Sequence, residues 1–261
     1  MMLALVNNKG GVGKTTTAVN LSAALAGKDR QVLLIDLDSQ GSASLSLGVP
    51  RADLHPSSAD VLLDGVAIRN ALRSTLVEGL DLLTGSMELA NADLFLSEVG
   101  GREDQLKTAL HPIRDDYDFI ILDCPPSLSL LSINALVAVD AFIVPVSPQY
   151  LALEGLVNLM EAVGRTHVEV GTVGSLLGLV LTLVDYRTKV THEIVQMIRD
   201  HYKDRVFKTE VRTSIRLAEA PSFGKSIFDY AASSSGALAY QSLAEEVIVR
   251  CRTYRKEGEN P

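Results

Sequence analysis

Lys9-Gly10-Gly11-Val12-Gly13-Lys14-Thr15-Thr16 is the stretch that decides the fold of this chain. It follows an apolar run, Leu3-Ala4-Leu5-Val6, and precedes apolar residues at helical spacing, Ala18, Leu21 and Leu25. Strand, glycine turn and helix form the context in which such a stretch cradles phosphate. Glycines let the backbone turn tightly, so that several N–H groups converge where a helix begins. That helix end carries unpaired donors and partial positive charge, which suits an anion. The pattern predicts a nucleotide site lined by Gly10, Gly11, Val12, Gly13 and Thr16. In it Lys14 lies on the outer phosphates and the Thr15 hydroxyl coordinates magnesium.

Outward from this loop, the chain alternates short apolar runs with helical spacing. Gln31 to Ile35 reads as a buried strand that runs into Asp36-Leu37-Asp38. Asp118 to Asp123 is a second apolar strand ending in an acid, and Pro125-Pro126 then turns the chain. Carboxylates at strand ends beside a phosphate site suit phosphoryl transfer, in which one acid holds magnesium and another orients the attacking water. Ala141 to Val146 and Gly174 to Val184 read as further strands, the last buried on both faces. Tyr150 begins a helix running toward Val163, and another helix sets Val190, Ile194 and Ile198 on its apolar face. Residues 49–113 read as loops and short helices. The expected fold is α/β: a doubly wound, mostly parallel sheet flanked by helices on both faces, with ligand at the carboxyl ends of the strands.

The 261 residues suit one large domain, 1–261, with a final helix over about Gly236 to Thr253 and a polar, frayed tail from about residue 256. Cys124 and Cys251 form no C-x-x-C pair, so neither a disulfide framework nor a zinc site is expected. Met1-Met2-Leu3 leads straight into a strand with no basic leader, and the longest uncharged run, Cys124 to Val139, is too short to span a membrane. A cytoplasmic protein is expected. Net charge is −8, yet between Arg187 and Lys225 nine Lys or Arg face five Asp or Glu. That local surplus reads either as a solvated face or as a phosphate-contacting patch for DNA.

The glycine loop departs from the common pattern: Asn8 replaces its first glycine, and a second lysine, Lys9, stands five residues before Lys14. This resembles the deviant Walker A signature, K-G-G-x-G-K-[ST]. Asp36 to Ser44 resembles the stretch D-x-D-P-Q-G-N-A-T, with serines at 39, 42 and 44 for proline, asparagine and threonine. Together with Asp123-Cys124-Pro125-Pro126, the Tyr150 to Gly155 segment and Arg216-Leu217-Ala218-Glu219-Ala220-Pro221, the chain resembles the ParA/Soj partition ATPases from Leu3 to about Val249.

The resemblance implies a switch. ATP with Mg2+ closes a homodimer, Lys9 of each subunit crosses to the other's nucleotide, and Asp38 activates water. Thr15, Asp36 and Asp123 are the implied metal residues. The dimer is implied to bind nonspecific double-stranded DNA through Arg187 and Arg216, placing it on the nucleoid, until a ParB-like partner stimulates hydrolysis. Arg212 and Ser214 stand where the family's I-P-R-N-V-R-L has the proline and asparagine that edge the adenine, and their main chain is the implied base contact. Three related readings share the nucleotide fold. A positioning ATPase for a protein cargo differs only in its partner. A MinD-like membrane switch needs a C-terminal amphipathic anchor that this sequence does not show. An iron–sulfur carrier needs paired cysteines at the dimer face.

Overall fold

The computed structural model describes residues 1–258. Its strands are β1 (Met2–Leu5), β2 (Val32–Asp36), β3 (Arg73–Ser74), β4 (Leu80–Leu83), β5 (Phe119–Asp123), β6 (Ala141–Val146), β7 (Ser175–Val184) and β8 (Val206–Arg212). They form one sheet in the order β3-β4-β2-β5-β1-β6-β7-β8, parallel throughout except for β3 against β4. β1 lies between β5 and β6, so the strand order reverses around it and a crevice opens at its carboxyl end. The glycine loop leaves β1 into that crevice.

Because successive side chains on a strand face opposite ways, each central strand feeds two cores. Met2 and Ala4 of β1 join one apolar cluster, Leu3 and Leu5 the other, and all are buried. The first core is covered by α3 (Ser58–Leu63), α4 (Ile68–Ala71), α5 (Ala92–Ser97), α6 (Gln105–Leu110), α7 (Leu130–Ala138), α8 (Ala152–Val170) and α9 (Lys189–Tyr202). The second is covered by α1 (Lys14–Ala26), α2 (Ser42–Ser46), α10 (Ile215–Glu219), α11 (Ile227–Ala231) and α12 (Ser235–Gly258). Helices on both faces of a parallel sheet are what the continuous apolar strands demand.

Several details differ from the sequence expectation. Val190 is 52% exposed, and α9 turns Thr191, Ile194, Val195 and Ile198 inward instead. α8 continues past Val163, its last buried residue, until Gly171 at φ 92 ends it; the apolar pattern stops before the helix does. β7 is not buried throughout, since Leu183 is exposed at φ 53. α12 continues to Gly258, beyond the point where a frayed tail was expected, and residues 259–261 lie outside the described residues. The antiparallel edge strand β3 has too few residues to show a period.

Candidate nucleotide site

Gly11 at φ 71 and Gly13 at φ 80 lie in the left-handed region that favours glycine, and Gly13 caps α1. The turn is held from two sides. The Asn7 amide donates to Pro145 O at 2.7 Å, its Oδ1 accepts from Lys9 N at 3.0 Å, and the Thr182 hydroxyl donates to Val12 O at 2.7 Å. β6 and β7 therefore brace the loop that β1 projects. Neither Asn7 nor Thr182 stands out in the sequence, because the groups they hold are main-chain atoms remote in the chain.

Lys14 is buried, and its ammonium donates to Lys9 O at 2.9 Å. Desolvation lowers its pKa, opposed by the nearby charges of Asp123, Cys124 and Asp38. The Lys9 side chain lies against its own subunit: its ammonium donates to Leu151 O at 2.6 Å, just before α8. Gly155 makes the room, since a Cβ there would meet Lys9 Cε at 2.9 Å. The sequence expectation sent Lys9 toward a partner; in this single chain it is folded back.

Parallel pairing sets Asp36 of β2 level with Asp123 of β5 at the sheet's carboxyl edge, and both are fully buried. Their surroundings differ. Asp36 Oδ2 accepts from Ser44 N at 2.9 Å and Ser44 Oγ at 2.7 Å, and its Oδ1 accepts from Asp38 N at 3.1 Å. Burial nevertheless pushes Asp36 up to about 6. Neither oxygen of Asp123 has a hydrogen-bond partner; the Thr15 hydroxyl nearby favours its ionised form without making a bond of ordinary geometry. Burial first, then the charge of Asp36, raises the Asp123 pKa well above the usual carboxylate range. A buried carboxylate without donors calls for a cation. Asp123, with Thr15 and the neighbouring Asp36, fits a magnesium ion. Asp38 is half-buried beside this pair, with Oδ1 accepting from Gln40 N at 2.9 Å.

The predicted base-edge and DNA residues lie on the loops after β7 and β8, which Thr213 N joins by donating to Val184 O at 3.2 Å. Arg212 turns its guanidinium over the Tyr186 ring, 5.3 Å from the centroid, and Ser214 caps α10 by accepting from Leu217 N at 3.4 Å. Arg187 is exposed in a forked ion pair with Asp185, which it holds down to about 2; Arg216 pairs with Glu219 at 3.0 Å. Cys124 and Cys251 are both buried free thiols. A cleft of about 580 Å³ at the opposite edge of the sheet, lined by Met1, Asp118, Asp140 and Tyr254 among others, contains none of the phosphate-site groups.

Residues 1–172 match a family model described as an AAA domain. Over 246 residues the chain is 42% identical to the sporulation initiation inhibitor protein Soj of Bacillus subtilis, covering 94% of this chain and 97% of that protein. The chain belongs to the ParA/Soj family of partitioning ATPases. The chromosome partitioning protein ParA of Caulobacter vibrioides is 39% identical over 253 residues, covering 96% of this chain and 95% of its own length. Among solved structures, a Mycobacterium smegmatis protein named cobyrinic acid a,c-diamide synthase, with bound ADP and magnesium, aligns with TM-score 0.83 at 34% identity over 96% of this chain and 95% of its own. The cell division ATPase MinD of Pyrococcus furiosus aligns with TM-score 0.77 at 25% identity over 95% of this chain and 98% of its own. Both likenesses place the ParA/Soj chain in the deviant P-loop fold. No helix among the described residues is long and apolar enough to cross a membrane.

Proposed function

We propose that this chain is an ATP-hydrolysing dimerisation switch that binds nonspecific DNA and drives DNA segregation with a ParB-like activator. The observation that carries the reading is the environment of Asp123: two donor-free buried oxygens beside Lys14 and Thr15, level with Asp36 across one strand pair. Such an arrangement is costly without a cation and a phosphate chain.

The division of labour follows from burial and bonding. The N–H groups of the Gly10 to Thr15 turn hold phosphate oxygens, and Lys14 exchanges the Lys9 carbonyl for them. Magnesium held by Thr15 and Asp123 supplies charge neutralisation across the outer phosphates. Asp36, fixed by Ser44, keeps the carboxyl edge negative and positions the turn to Asp38. Asp38 accepts a proton from, or orients, the attacking water. Lys9 leaves Leu151 and Gly155 and neutralises the nucleotide of a second subunit. Arg187 and Arg216 contact DNA phosphates, and their exposure on loops after β7 and α10's first turn supports that role.

Particle mass by light scattering, with ATP and magnesium, tests the switch. The wild type and Asp38→Ala are expected to dimerise and Lys9→Ala to remain monomeric. A Lys9→Ala chain that dimerises as readily as wild type contradicts the crossing lysine.

A further inference from the structure

Residues 87–99 form a ridge whose outer side is apolar. α5 turns Ala92 and Leu96 into the core and leaves Leu94 65% and Phe95 52% exposed, with Met87 and Val99 also outside. Single exposed apolar residues are ordinary; four within thirteen residues are a patch. The rim is acidic. From Met87 to Asp104 there are five Asp or Glu and one basic residue, Arg102, which Glu103 takes at 2.8 Å. Glu98 and Asp104 are exposed and in no ion pair among the described residues.

The charge pattern selects the occupant. A second copy presenting the same ridge in a two-fold contact sets carboxylate against carboxylate. DNA and anionic lipid are repelled for the same reason. An amphipathic segment with apolar residues on one side and Lys or Arg flanking them matches both features.

The ridge is also tied to the nucleotide site. The Asp93 carboxylate accepts from Leu131 N in α7 at 3.0 Å. Asn134 of α7 accepts from Leu106 N at 3.1 Å and donates to Arg102 O at 2.6 Å. α7 is the first helix after Asp123, joined to it by the short segment Cys124 to Ser129. A ligand gripping the ridge therefore bears on the segment that leads from the buried carboxylate.

We propose that the α5 ridge is the docking surface for a cationic amphipathic segment of the activating partner, an inference that rests on the switch proposed above. The probe is a fluorescein-labelled peptide of fourteen residues, all Lys and Leu, with the leucines on one helical face. Its control has the same composition scrambled. Anisotropy is read on the full chain with ATP and magnesium. The facial peptide is expected to bind about tenfold tighter than the scrambled one, and Leu94→Ser/Phe95→Ser and Glu98→Lys/Asp104→Lys each to weaken it about five- to tenfold. Val249→Ser, at an apolar residue exposed on α12, should leave the affinity unchanged. Thermal melts confirm that each variant is folded. Equal affinity for the two peptides, or no loss in the ridge variants, overturns the proposal. So does loss of ATP-dependent dimerisation in Leu94→Ser/Phe95→Ser with peptide affinity intact, which assigns the ridge to a second copy. A wild type that neither binds nor hydrolyses ATP sinks the switch instead, while peptide affinity without nucleotide still reports on the ridge.

Discussion

The Lys14 ammonium donates to the main-chain carbonyl of Lys9 at 2.9 Å, so the two lysines of the glycine loop are engaged with protein carbonyls before any nucleotide arrives. Lys14 is committed to the loop and Lys9 to α8, and their removal should have different effects. Lys14→Ala should weaken ATP binding about 30- to 100-fold, the worth of a buried charge-assisted contact to phosphate. Lys9→Ala should keep most of that affinity. Isothermal titration of both variants checks the split, and equal losses would contradict it.

The notch at Gly155 gives a second test of Lys9. Gly155→Ala places a methyl group against the flexible end of the lysine, 2.9 Å from Cε, so the side chain is displaced at little cost to the fold. Freed from Leu151, Lys9 should be available to a second subunit, and dimerisation should need less ATP. Sedimentation across an ATP series reads the midpoint; an unchanged or higher midpoint counts against the folded-back lysine as a resting state.

The paired carboxylates predict an unusual pH dependence. Asp36 and Asp123 have raised pKa values in the fold, so the native state binds more protons than the unfolded chain between about pH 4 and 6, and this pair's contribution falls as pH rises through that window. Asp123→Asn removes the penalty and should stabilise the nucleotide-free protein at pH 7 by about 1–3 kcal/mol, with little gain at pH 4. The comparison is of melting temperatures at the two pH values without magnesium. A destabilised Asp123→Asn at pH 7 would mean that the carboxylate has a partner after all.

Asp38→Ala separates binding from chemistry. The side chain accepts only from Gln40 N in its own turn, so the fold should tolerate its loss. Hydrolysis should fall at least about 100-fold with ATP affinity within about twofold of wild type, since the role is in the transition state. Single-turnover phosphate release measures it, and wild-type turnover would move the water-activating role elsewhere.

Much of this site was legible because its parts are local. Lys9 to Thr16 is one turn and a helix start, and Asp36 and Asp123 each end an apolar strand. The resemblance over nearly the whole chain agrees with the family shown. What the sequence concealed depends on contacts between remote segments. Thr182 reaches Val12 across 170 residues of chain, and Lys9 reaches Leu151 across 142. Only the sheet order makes those neighbours. Asp36 and Asp123 look alike in sequence, yet Ser44 satisfies one and nothing satisfies the other. Val190 fits the helical period of Ile194 and Ile198 but falls at the first turn, where α9 is still outside the core.

Retention of the protein on nonspecific duplex DNA with ATP, ADP or no nucleotide, across a salt series, tests the central claim most directly. Binding should require ATP, fall steeply as salt rises, and weaken at least about tenfold in Arg216→Glu or Arg187→Glu. Asp185→Asn, which frees Arg187 from its exposed ion pair, should strengthen it by no more than about two- to threefold. Absence of DNA binding in every nucleotide state would contradict the DNA-coupled switch and return the basic loops after β7 and β8 to a solvated face.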